Sequence, residues 1–275
     1  MPTNRRPTIG VFDSGVGGLT VLAALLRRVP DANYLYFGDT ARLPYGSKSS
    51  QTVTHYVVGA VHHLQSQGAE LLVIACNTAT ALAFDEIKAA ARVDVIGVVE
   101  PGARAASEAT RAGKVVVIGT DATVASHAYQ RALEARGVAV KEKACPLFVP
   151  LVEEGWTDHP VTEQVARIYL DEAFAGNEKD ADVLVLGCTH YPLIKPLIAR
   201  TAPSHVTIVD SADSTAQDVA RRLEIEPVAQ AMQAERRATP RLKFFATDSA
   251  EKFKRMGTRF LGHPVEDVVH VDLKE

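Results

Sequence analysis

The feature that most constrains this chain is the stretch at 71–80, LLVIACNTAT. An apolar run of strand length ends in a cysteine and small polar residues, and a helical pattern follows. An uninterrupted apolar run, rather than an alternating one, fits a strand covered on both faces, as in a parallel sheet. The stretch has an echo at 183–192, VLVLGCTHYP, which places Cys188 112 residues after Cys76. The chain therefore reads as two large copies of one unit. In each copy a thiol stands where a buried strand hands over to a loop, and in open α/β sheets that carboxyl end is where ligands bind. Two related halves then offer one site two thiols from two sides.

The rest of the chain supports the duplication. Residues 7–12 read as a strand, 13–18 (DSGVGG) as a glycine-rich turn, and 19–29 as a helix ending before Pro30. This is not G-x-G-x-x-G, and no ribose-binding acid follows at the right distance. What remains is a helix start whose N–H groups favour an anion such as a carboxylate. After a strand at 34–38, residues 39–48 form a polar loop with turn chemistry at Pro44, Tyr45 and Gly46. Ser47 is placed to cap the next helix, which runs to about 67 and stops at Gly68. His62 and His63 on that helix read as surface residues, because adjacent positions do not share a face. Helices follow at about 79–92 and from 100, with a strand at 93–99 between them.

At residue 114 the pattern restarts. KVVVIGTD at 114–121 resembles the opening strand and turn, and Thr120 falls 106 residues after Ser14. A helix is expected from about 123 to Gly137, a strand at 138–143, a helix at 160–174 and a strand at 206–210. Residues 146–155, containing Glu153 and Glu154, fall where the Pro44 loop fell in the first copy. Beyond Ser211 come a helix to about 223, a polar stretch at 227–240, and two more strands, 242–246 and 268–271, with a helix between. The simplest arrangement returns this tail to the first half. The expected fold is α/β, with two pseudo-symmetric lobes, mostly parallel sheets and an interdomain cleft. The first lobe would comprise 1–98 and 212–275, and the second 99–211.

Composition narrows the function classes. A net charge of −3 and a pI near 6.3 argue against nucleic acid or an anionic membrane as partner. The basic start lacks the apolar segment of a signal peptide, and no stretch approaches the ~20 apolar residues of a membrane span. A cytoplasmic location is expected. Three cysteines, with no C-x-x-C, fit neither a disulfide framework nor a structural zinc site, so no metal is expected. Cys145 reads as a buried small hydrophobe.

Two facing thiols admit few chemistries. A cysteine phosphatase needs an arginine at C-x5-R, which both Cys76 and Cys188 lack. An acyl-transfer pair of Cys188 and His190 leaves Cys76 without a role. Racemisation uses both, since one base removes a proton from one face of a carbon while an acid on the opposite wall returns one. A thiol with an ordinary pKa near ~8.5 can be tuned into either state. A pyridoxal phosphate enzyme is disfavoured, because no lysine stands at a strand end near the thiols.

Four segments in order carry a family resemblance: FDSGVGGL at 12–19, YFGDT at 36–40 with Pro44, Tyr45 and Gly46, ACNTAT at 75–80, and GCTHYP at 187–192. On these the chain resembles the glutamate racemases of the aspartate/glutamate racemase superfamily. The resemblance implies cofactor-independent interconversion of L- and D-glutamate for peptidoglycan synthesis, a two-lobed fold and a homodimer. It implies that Cys76 and Cys188 are the proton donors and acceptors, with Cys76 acting on D-glutamate and Cys188 on L-glutamate. It makes Asp13 and His190 their polar assistants, with Glu153 a further candidate. Substrate contacts would come from Asp13, Ser14, Pro44, Tyr45, Gly46, Asn77, Thr78, Thr189 and His190. Asp39 could serve only to brace the Pro44 loop. Two other readings stay open: a two-lobed amino-acid binding protein without catalysis, and a racemase acting on aspartate or a hydantoin.

Overall fold

The computed structural model describes residues 6–225 and 240–273, so most of the polar stretch at 227–240 lies outside the described residues. Among the described residues ten strands form two sheets, and every strand pairing in both is parallel. The first sheet begins with β1 (Thr8–Asp13), β2 (Asn33–Gly38), β3 (Leu71–Ile74) and β4 (Asp94–Gly97). The second holds β5 (Lys114–Gly119), β6 (Ala139–Ala144), β7 (Val183–Gly187) and β8 (Thr207–Asp210). The spatial order is β2-β1-β3-β4 in one and β6-β5-β7-β8 in the other, the same winding twice. The tail supplies β9 (Leu242–Ala246) and β10 (Val268–His270), which join the first sheet beside β2.

The uninterrupted apolar runs become these strands for the reason the pattern implies. All residues of β3 and β7 are buried, since helices cover both faces of each sheet. Burying one such valine, leucine or isoleucine contributes about 1.5–3 kcal/mol. Between β1 and β2 lies α1 (Leu19–Arg28), and α10 (Ser211–Arg222) follows β8. These two helices pack together, and one continuous apolar core runs from Leu22 and Leu25 through Ala216 and Val219 to Val116 and Leu184 of the second sheet. The two halves are thus joined along this seam, while the carboxyl ends of β1, β3, β5 and β7 face a shared cleft.

Three local expectations need correction. The helix α2 (Ser50–Ser66) is capped by Ser49, whose hydroxyl accepts from Thr52 N at 3.3 Å, and not by Ser47. Ser47 ends a separate 3-10 turn at 45–47 that delays the helix. Gly68 does end the helical segment, at φ 95°. The helix expected from 123 to 137 is two, α5 (Asp121–Ala125) and α6 (Ala128–Glu134). His127 interrupts them in the left-handed region at φ 53°, its Nδ1 2.8 Å from Glu142 Oε2. Finally, His63 is half-buried rather than on the surface. Its ring meets Phe245 edge-on at a centroid distance of 4.7 Å, and burial lowers its pKa by penalising the cation.

Candidate active site

The cleft between the sheets encloses about 460 Å³. Its lining includes every site residue expected from the sequence except Asp13, which lies behind Ser14. It also includes Leu43, Ser47, Thr120, Asp121, Pro146, Val149 and Pro150, which sequence reasoning did not assign. Thr120 was findable, because it is the second copy's counterpart of Ser14. Among the described residues no lysine or arginine lines the cleft, which leaves hydroxyls, amides and the His190 ring to meet an anionic ligand.

Cys76 stands directly after β3, at the start of α3 (Asn77–Ala90). Its sulfur accepts from Ala79 N at 3.4 Å and lies 3.6 Å from Ser14 Oγ. Behind it is Asp13, only 1% exposed. The Asp13 Oδ2 accepts from Gly15 N at 2.9 Å, and the buried Oδ1 has no hydrogen-bond partner among the described residues. The glycine turn therefore spends part of its N–H field on the chain's own carboxylate, a refinement of the expected ligand site. Burial raises the Asp13 pKa, against the opposing pull of His190 and the turn amides. Burial and the Asp13 charge together push the Cys76 thiol up to about 12. This side of the cleft holds its thiol protonated.

The opposite wall has the reverse polarity. Cys188 follows β7, and its sulfur lies 4.0 Å from His190 Nδ1. His190 Nε2 is 3.1 Å from Glu153 Oε1, at the end of α7 (Phe148–Glu153). Burial works against the imidazolium, but hydrogen bonds to Cys188 and Glu153 and their charges outweigh it and raise His190 to about 10. Burial likewise works against the Glu153 carboxylate, and His190 and Lys252 reverse that, so its pKa falls. The imidazolium–carboxylate pair stands behind Cys188 as Asp13 stands behind Cys76.

Between the walls sit the hydroxyls and amides. Thr78 Oγ1 lies 3.0 Å from Thr120 Oγ1, joining the two halves across the cleft. Thr189 belongs to the Cys188 loop, and its carbonyl accepts from Thr20 Oγ1 at 2.9 Å. The Tyr45 hydroxyl donates to Asp39 Oδ2 at 2.6 Å, and Arg42 and Thr247 donate to Oδ1 of the same carboxylate. Asp39, fully buried, does brace the Pro44 loop. Gly17 lets the halves approach, since a Cβ there would fall inside 3.0 Å of Thr189 Oγ1 and 2.6 Å from His190 Nδ1.

Comparison with known proteins places the whole chain beside the racemases. The family model described as Asp/Glu/Hydantoin racemase matches residues 11–219. A glutamate racemase from Koribacter versatilis is 59% identical, over 98% of this chain and 99% of its own. The crystal structure of glutamate racemase from Thermus thermophilus, in complex with β-chloro-D-alanine, superposes with a TM-score of 0.84 at 46% identity, covering 98% of both chains. That from Francisella tularensis, in complex with D-glutamate, gives 0.85 at 33% identity, covering 98% of this chain and 99% of its own.

Proposed function

The chain belongs to the Asp/Glu/hydantoin racemase family and is an isomerase, and on that premise we propose that it interconverts L- and D-glutamate by a two-cysteine transfer of the α-proton. The observation that carries this reading is one cleft holding two thiols of opposite electrostatic setting. Cys188, backed by the His190 imidazolium, acts as base on L-glutamate. It takes the α-proton, and the electron pair of the C–H bond passes into the α-carboxylate. Cys76, kept protonated by burial and Asp13, delivers its proton to the opposite face. The thiolate then rests on Cys76 and the proton on Cys188, ready for D-glutamate, and the reverse reaction restores the first state. A dry cleft with fixed donors stabilises the developing charge more than water would.

Ser14, Tyr45, Gly46, Asn77, Thr78 and Thr189 bind the substrate carboxylates and ammonium, with Pro44 shaping the loop. No cofactor enters the scheme. The assignment to glutamate is supported by relatives bearing that name over nearly their full length. We further propose two lobes, 1–98 with 212–275 and 99–211, a homodimer, and a cytoplasmic role supplying D-glutamate for peptidoglycan. Among the described residues no helix is long and apolar enough to cross a membrane.

The test is proton NMR with L-glutamate in D2O and no added cofactor, with circular dichroism of the same sample. The wild type should lose the α-proton signal while the optical signal decays to zero. Cys76→Ser and Cys188→Ser should each suppress racemisation by at least ~100-fold, the scale of losing a general acid or base. A persistent α-proton with glutamate, but exchange with aspartate, would move the substrate assignment within the family.

A further inference from the structure

Tyr129 lies on α6 in the second half, fully buried and outside the cleft lining, yet it touches the residue before one thiol and the residue after the other. Its ring packs against Gly187, the residue before Cys188. A Cβ at Gly187 would stand 3.1 Å from Tyr129 Cε2, and one at Gly102, on the other side, 3.2 Å from Tyr129 Cε1. The ring is thus held between two glycines. Its hydroxyl reaches across the boundary between the halves and donates to Asn77 Oδ1 at 2.7 Å. Asn77 is the residue after Cys76.

The other end of the Asn77 carboxamide is held as well. Asn77 Nδ2 donates to Ser211 Oγ at 3.3 Å, at the first residue of α10. A phenol is a better donor than acceptor, so its partner at 2.7 Å is the amide oxygen. The carboxamide has two N–H bonds, and Ser211 takes one. Among the described residues the amide nitrogen has no other partner, and Asn77 itself lines the cleft. Rotating the amide by half a turn would place its oxygen toward Ser211 and present acceptor character where an anionic substrate needs a donor.

We infer that Tyr129 is a positioning residue for the reaction: it holds the Asn77 carboxamide with N–H toward the substrate and ties the Cys76 helix start to the Cys188 strand end. The inference rests on the glutamate racemase reading above. Since the hydroxyl acts only through Asn77, its removal should matter only while Asn77 is present.

The experiment is a double-mutant cycle in the full chain, with Tyr129→Phe, Asn77→Ala and both together, measuring kcat and KM for each enantiomer and the melting temperature. Tyr129→Phe should lower kcat/KM about tenfold, the scale of one hydrogen bond, mostly through KM. In the Asn77→Ala background it should cause no further loss. An equal loss in both backgrounds, or none in the wild-type background, would overturn the inference. If Tyr129→Phe melts below the assay temperature, the same cycle is run at a lower temperature at which every variant stays folded, with the same supporting and opposing outcomes. Wild-type exchange of the α-proton is measured in parallel. Its failure would remove the glutamate reading itself, whereas wild-type exchange with an unaffected Tyr129→Phe would remove only the role of Tyr129.

Discussion

At the residue scale, the two walls of the cleft differ through burial and partner charge, not through the thiols themselves. A buried carboxylate behind Cys76 favours the neutral thiol, and a buried imidazolium behind Cys188 offers a counter-charge to a thiolate. The sign of the pH dependence follows. His190 has a folded-state pKa raised above its ordinary 6.5, so its stabilising contribution is complete below about 6.5. That contribution is lost as the pH rises through about 10. Glu153 has a lowered pKa, so its contribution is present above the ordinary carboxylate value and lost in acid. Glu153→Gln removes the carboxylate that helps hold the imidazolium. The alkaline limb of the kcat/KM profile should then move down by more than ~1 pH unit. Melting temperatures recorded from pH 6 to 10 should begin their alkaline decline earlier than in the wild type. A limb that stays in place would assign it to another group.

At the scale of elements, the glycine turn between β1 and α1 does less for anion binding, and more for close approach, than its sequence implies. Asp13 occupies the Gly15 N–H, and Gly18 leaves room for the Asp13 side chain, since a Cβ there would collide with it. Gly17 faces the loop bearing Thr189 and His190. Gly17→Ala would thrust a methyl group between the halves at the point where the second thiol's assistant sits. It should lower kcat at least ~10-fold, because misplacement of about an ångström is costly in catalysis. It should also destabilise the fold by about 1–3 kcal/mol, the usual range for overpacking. Urea denaturation and steady-state kinetics on one preparation check both.

At the scale of the whole molecule, the duplicated winding builds the cleft and the tail braces one wall of it from behind. β9 pairs with β2 over five residues, and α11 (Ala250–Leu261) then crosses to the other half. There Phe260 meets the His190 ring edge-on, and Arg259 donates to the Glu153 carbonyl at 3.2 Å. Phe244, Phe245, Phe253 and Phe260 are all buried. At about 1.5–3 kcal/mol each, they rival the whole stability of about 5–15 kcal/mol expected of a domain. A chain ended after residue 225 should therefore lose its near-ultraviolet circular dichroism and fail to stay in solution. A truncated protein that kept a sharp tertiary signal would show that the tail is dispensable for the core.

The sequence by itself determined the winding, because strands buried on both faces leave uninterrupted apolar runs and glycine, proline and polar residues mark their ends. The two copies exposed the two thiols for the same reason: each sits where a legible strand stops. Beyond the thiols, the candidate site residues came from the family resemblance, and Thr120 could have joined them through its kinship with Ser14. The family resemblance named Asp13, His190 and Glu153 as assistants, but only the tertiary structure decided which of them stands behind which thiol. Asp13 at Cys76 and the His190–Glu153 pair at Cys188 involve contacts whose energies depend on burial and on distances of a few ångströms. The split of the 123–137 helix at His127, the shift of the helix cap from Ser47 to Ser49, and the burial of His63 were likewise decided in three dimensions. Each turns on a partner distant in sequence or on a backbone angle that local pattern does not encode. Tyr129 belongs to the same class. On its own helix it is one more apolar position, and only folding brings it against Gly187 and Asn77 at once.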